Sequence, residues 1–116
     1  MSKICVVARV TIGEGKLEAF LAAAEKAFTT VSEKDTGTLQ YDWYMSPDKT
    51  TCTVLETYES SEAVMSHMGN VQESLGALMG IGTLEIEVFG TPSDELKAAA
   101  AAMEPKLWAP LHVLAK

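Results

Sequence analysis

Hydrophobic positions along the chain switch between a period of two and a period of 3.6, and the switches mark out its elements. Ile4, Val6, Ala8, Val10 and Ile12 alternate with Cys5, Val7, Arg9 and Thr11, a β-branched strand pattern that Gly13-Glu14-Gly15 breaks. Leu17, Phe20, Leu21, Ala24, Phe28 and Val31 then recur at helical spacing, with Glu18, Glu25, Lys26 and Glu33 off the stripe, until Asp35-Thr36-Gly37 ends the helix. Residues 38–46 alternate again, with Leu39, Tyr41, Trp43 and Met45 on one face and Gln40, Asp42 and Tyr44 on the other. Pro47-Asp48-Lys49-Thr50 has turn chemistry, and residues 51–59 return as a third strand. Ser60 and Ser61 offer an N-cap and Glu62 suits the helix dipole, so a helix starts there and runs to about Leu78, kinked or divided at Gly69-Asn70. Residues 83–89 make a fourth strand with Leu84, Ile86 and Val88 inward.

The order βαββαβ predicts an α+β, ferredoxin-like fold: an antiparallel four-stranded sheet with both helices on one face. Residues 1–90 carry this unit, and residues 91–116 add a C-terminal helix and docking tail to the same single domain. The uncovered sheet face mixes Cys5, Val7, Tyr44, Leu55 and Phe89 with Arg9, Asp42 and Glu87, too apolar for solvent and too polar for a dry core. A second copy packed there satisfies both, so a two-fold homodimer is expected. After Gly90-Thr91-Pro92, Ser93-Asp94-Glu95 starts an Ala-rich helix from Leu96 to Met103. The tail PKLWAPLHVLAK, with Trp108, Leu111, Val113 and Leu114, is apolar enough to dock on the partner subunit or along a sheet edge, with His112 structural.

Composition narrows the functional classes. At 116 residues the chain has the length of one ordinary domain. Nine basic residues against sixteen acidic ones give a net charge of −7, which disfavours nucleic acid and anionic membrane surfaces. No apolar run is long enough to span a bilayer. The start, MSKICVVARV, does not read as a signal peptide, so a cytoplasmic protein is expected. Arg9, the only arginine, needs a carboxylate partner, with Asp42, Glu85 and Glu87 in reach. Cys5 and Cys52 lack the spacing of a zinc or redox site and read as buried thiols.

Groups capable of chemistry converge only between Val54 and Asn70. Glu56 and Tyr58 point to the same face of a strand as Cys52 and Val54, while Val64, His67, Met68, Val71 and Leu75 fall on one helical stripe that turns His67 inward. There is no phosphate-binding glycine loop, no nucleophile elbow, and no second ligand near either histidine to make a metal site. What remains is an apolar pocket walled by Tyr41, Trp43 and Tyr58, with His67 and Glu56 as its polar points, suited to a flat aromatic ligand. Met68 borders it, though Met65, Met68 and Met79 also read as adaptable core packing. If Glu56 accepts the imidazole N–H, His67 can take a phenolic proton near neutral pH; the other reading is a hydrogen-bonded core histidine.

Glu56-x-Tyr58, Ser60-Ser61 and then His67 resemble the E-x-W-x-[SD]…H signature of the antibiotic biosynthesis monooxygenase superfamily, and the element order agrees over roughly residues 4 to 90. The resemblance implies a dimeric α+β barrel; joined to the pocket read from the residues, it makes His67 and Glu56 the catalytic candidates and Tyr58, Trp43, Tyr41 and Met68 the substrate-binding ones. It also implies O₂-dependent oxidation of a phenol or quinol without metal, flavin or other cofactor, the deprotonated substrate itself reducing oxygen. Three positions depart from the pattern. Tyr58 stands where the family has Trp, and Gln72 where many quinol-oxidising members have a second histidine. Ala8 beside Arg9 occupies the place of the Asn of haem-degrading members. The expected function is a cofactor-independent monooxygenase of a small aromatic or quinol substrate. The alternative is a non-catalytic dimeric binding or stress-response protein that holds a hydrophobic small molecule.

Overall fold

In the computed structural model, which describes residues 3–114, the most apolar strand, β1 (Ile4–Ile12), lies at the centre of the sheet. It pairs antiparallel with β3 (Thr51–Tyr58) on one side and β4 (Gly82–Phe89) on the other, and β2 (Thr38–Met45) pairs antiparallel with β3 at one edge. Among the described residues the sheet has five strands, not the expected four, in the order β2-β3-β1-β4-β5. The fifth, β5 (Lys106–Trp108), comes from the tail and pairs parallel with β4, which otherwise leaves its edge groups open. Trp108 stacks on Phe89 at 6.3 Å and donates Nε1–H to Glu87 at 2.9 Å. The tail thus docks along a sheet edge as far as Trp108. Beyond it Leu111, His112, Val113 and Leu114 are exposed.

Both faces of the helical layer follow from small local rules. Helix α1 (Leu17–Lys34) buries Phe20, Ala27 and Val31, whereas Leu21 and Phe28, expected on the stripe, are about half exposed at 50% and 51%. The line of closest approach runs along the alanines, and bulky residues one position further on are rotated about 100° away from it. The same rotation exposes Met79, the neighbour of buried Leu78. The second helical segment is divided at Val71 into α2 (Ser61–Asn70) and α3 (Gln72–Ile81). Ser60 caps α2 through a 3.1 Å bond from Ala63 N–H to its Oγ. Helix α3 enters β4 without a loop, because Gly82 leaves room for the Thr11 carbonyl where any Cβ would overlap it. Ser93 caps α4 (Asp94–Ala100), which a short 3₁₀ turn over Ala101–Met103 extends.

Antiparallel register sets side chains in rows under the helices. One row reads Tyr41, Glu56, Val6, Val88; the next reads Trp43, Val54, Ala8, Ile86. Leu39, expected beside Tyr41, is 54% exposed because the β2–β3 register shifts between Thr38 and Gln40. On the opposite face Arg9 pairs with Glu87 at 2.5 Å, one of its three candidate partners, in an exposed contact of small net value. Cys52 is buried as expected, but Cys5 points to this open face and is exposed. Among the described residues no helix is long and apolar enough to cross a membrane.

Candidate functional site

The site forms where the end of α1, the middle of β3 and the inner face of α2 meet. Gly37 lets α2 approach closely: a Cβ there would lie 2.6 Å from Ala63 Cβ. With the helix so placed, the His67 Nδ1 to Asp35 Oδ2 distance is 2.7 Å. Asp35 also accepts from Thr38 Oγ1 at 2.6 Å and from Asn70 Nδ2 at 2.8 Å. An ionised carboxylate only accepts, so this network assigns the imidazole proton to Nδ1 and leaves the Nε2 lone pair free. Nε2 lies 3.9 Å from Glu56 Oε1, too far for a hydrogen bond. Glu56 instead accepts a short bond from the Tyr58 hydroxyl, its neighbour two residues along the same strand face.

The expected Glu56–imidazole bond is therefore replaced by an Asp35–imidazole bond. The spacing within β3 explains it: Tyr58 reaches Glu56 first, while Asp35 emerges from the helix terminus directly onto Nδ1. The sequence reading took Asp35 only as a helix terminator. Its partners Thr38 and Asn70 lie three and thirty-five residues away, so no local pattern links them.

The two carboxylates have opposite electrostatics although both side chains are almost wholly buried. Burial pushes Asp35 up, but hydrogen bonds from Thr38, Asn70 and His67 outweigh it and hold the carboxyl below its ordinary value. Glu56 has a single donor, and burial raises it to about 7, with the Asp35 charge adding to the effect against the Tyr58 hydrogen bond. Burial lowers His67 below its ordinary 6.5, opposed by the hydrogen bond and charge of Asp35. Burial, followed by the charge of Glu56, raises both Tyr58 and Tyr41, so neither phenol ionises in the physiological range.

His67, Glu56, Tyr58, Tyr41, Trp43 and Met68 all line one cavity of about 90 Å³ between the sheet and α2, α3 and α4. Ring centroids step from Trp43 to Tyr41 at 5.6 Å, Tyr41 to His67 at 5.2 Å, and His67 to Tyr58 at 5.1 Å. The cavity floor dips at Ala8, and Val71, Leu75 and Leu78 close its roof. Sequence reasoning missed its far wall, formed by Leu96, Ala100 and Met103 of the C-terminal segment. The Trp43 indole N–H is buried and has no hydrogen-bond partner among the described residues. Chemically, the arrangement offers an imidazole lone pair and a carboxyl titrating near neutrality, side by side, at the edge of an apolar space.

The fold is similar to that of MupZ from Pseudomonas fluorescens, at 22% identity, with a TM-score of 0.84 over 98% of this chain and 94% of that one. It is also similar to Rv0793 from Mycobacterium tuberculosis (24% identity, TM-score 0.68, 79% and 96% covered). A third such structure is SO0527 from Shewanella oneidensis (23% identity, TM-score 0.66, 75% and 88% covered). No curated protein matches the chain. The model of one family, antibiotic biosynthesis monooxygenase, matches residues 3–72, from β1 to the start of α3 and across Asp35, Glu56, Tyr58 and His67, and the chain belongs to that family.

Proposed function

We propose that the chain is a monooxygenase that oxidises a compact phenol or quinol with O₂, using the His67–Glu56 pair to take the phenolic proton. The observation that carries this reading is the pair itself: Nε2 and Oε1 stand 3.9 Å apart on the cavity wall, each held from behind by a different partner. A hydroxyl placed between them meets two acceptors, and Glu56, at about 7, is the stronger base of the two. Deprotonation makes the ring electron-rich enough to reduce O₂ directly. One oxygen atom enters the ring, the other leaves as water, and the phenol becomes a quinone. Asp35 fixes the imidazole tautomer, and Tyr41 and Trp43 wall the ring.

The cavity is smaller than the roughly 150 Å³ engineered cavity that accommodates benzene, so a ring enters only with movement of flexible side chains such as Met68 and Met103. That favours a single ring over a polycyclic one. The working unit in this proposal is a homodimer, supported by the partly apolar outer sheet face of Val7, Tyr44, Leu55 and Phe89.

Oxygen consumption with a panel of single-ring phenols and quinols, read aerobically against anaerobic controls, tests the proposal. Uptake is expected with wild type and lost in His67→Ala. Binding with no oxygen uptake for any ring would overturn it in favour of a protein that only holds its ligand.

A further inference from the structure

The inner cavity continues past its polar end toward the C-terminal helix. Glu56 and Val88 lie in the same row of the sheet, two strands apart through Val6, a separation of about 10 Å. That exceeds the reach of a phenol from its oxygen to its para carbon. At Val88 the cavity meets Leu96 and Ala100 of α4, and the same three residues form one wall of a second hollow of about 290 Å³. The outer hollow runs between α4 and β5, over Leu107, and ends at Lys97 and Glu104 on the surface. The buried side chains of Val88, Leu96 and Ala100 divide the two spaces, and Ala100 is the smallest of them.

We propose that the substrate is a phenol bearing an unbranched alkyl chain para to its hydroxyl. The ring occupies the inner cavity, and the chain passes Val88, Leu96 and Ala100 into the outer hollow. The inference rests on the reading that the phenolic hydroxyl sits at His67 and Glu56. An apolar chain matches walls of Val, Leu and Ala, and an unbranched one asks the least displacement of the three side chains that divide the two spaces. Lys97 and Glu104 leave the far end of the chain facing water.

Calorimetric binding of 4-methylphenol through 4-hexylphenol measures the chain's contribution, alongside oxygen uptake on each. Wild-type affinity is expected to rise roughly fourfold per methylene until the outer hollow is filled. Ala101 is exposed and borders only the outer hollow, so Ala101→Phe is expected to remove the gain for the longest chains and leave 4-methylphenol binding unchanged. Ala100→Leu adds bulk to this divide and is expected to remove the gain from the ethyl compound onward. Ala101→Phe decides alone if that variant does not fold. Wild-type affinity that is flat with chain length overturns the inference, as does retention of the full gain in the folded variants. Chain-dependent binding without oxygen uptake supports the chain site while refuting the oxidation; uptake without chain dependence does the reverse.

Discussion

Replacing Glu56 by Gln separates the ionisation of this side chain from its shape. Glutamine keeps the length and the acceptor oxygen that Tyr58 needs but cannot carry a charge. In wild type, burial drives the carboxyl from its ordinary 4.5 to about 7, with the Tyr58 hydrogen bond opposing and the Asp35 charge assisting. The folded chain therefore keeps a proton that the unfolded chain releases over this window, and stability falls as pH rises through it. At roughly 1.4 kcal/mol per pH unit, the carboxylate costs wild type about 3 kcal/mol by pH 8, a cost that Glu56→Gln does not carry. His67 acts in the other direction, its lowered value removing stability as pH falls below 6.5, but it is present in both proteins and cancels in the comparison. Urea unfolding of both proteins at pH 4, 6 and 8 should show equal stability at the acid end and Glu56→Gln ahead by about 3 kcal/mol at pH 8. A difference independent of pH, or a wild type more stable at pH 8, would refute the argument: the anion would then be well stabilised by its neighbours. The more stable variant should be the inactive one.

Four further outcomes follow from the same geometry. Turnover of the wild-type protein should rise with pH through about 7 and level off above it, as Glu56 loses its proton; a pH–rate profile without that limb contradicts the base assignment. Asp35→Asn removes the charge facing Nδ1–H, and oxygen uptake should drop on the order of a hundredfold or more, with a changed imidazole tautomer visible in nitrogen NMR shifts. Gly82→Ala should destabilise by roughly 3 kcal/mol in urea unfolding because its Cβ meets the Thr11 carbonyl, whereas Gly76→Ala, with open space around it, should be neutral or slightly stabilising. Tyr44→Asp puts a charge on the outer sheet face and should shift the protein toward monomer in sedimentation velocity; an unchanged mass would place the dimer contact elsewhere.

The fold was legible wherever one periodicity runs unbroken. The strands around Val6, Val54 and Ile86 keep a strict alternation, and the serines at 60 and 93 cap helices where their patterns begin. Errors fell where a neighbour one residue along competes for the same face: Leu21 against Phe20, Met79 against Leu78, and Leu39 at a register shift. The fifth strand was not legible because Lys106–Trp108 has no period of its own; its pairing is fixed by the vacant edge of β4 and the stacking of Trp108 on Phe89. His67 facing inward and Glu56 sharing a face with Tyr58 were both readable from spacing. Asp35 was not, since its role depends on α2 crossing the end of α1, and the crossing is permitted by Gly37 rather than announced by any motif.

The pairing that the sequence did not reveal changes what the histidine can do. With Glu56 as its only partner, His67 would have its carboxylate on the cavity side, and the imidazole lone pair would face away from a ligand. Asp35 holds the ring from outside the cavity, so Nε2 is the nitrogen that lies toward Glu56. The number of donors on each carboxylate then sets its character. Three hold Asp35 ionised, whereas one leaves Glu56 poised near neutrality. A second donor to Glu56 would lower its value and weaken it as a base; Nε2, across a 3.9 Å gap and with the proton held on Nδ1, is an acceptor and supplies none, so the carboxyl stays poised near neutrality. A ligand hydroxyl entering that gap supplies the missing donor, and the same contact both satisfies the carboxylate and delivers the proton.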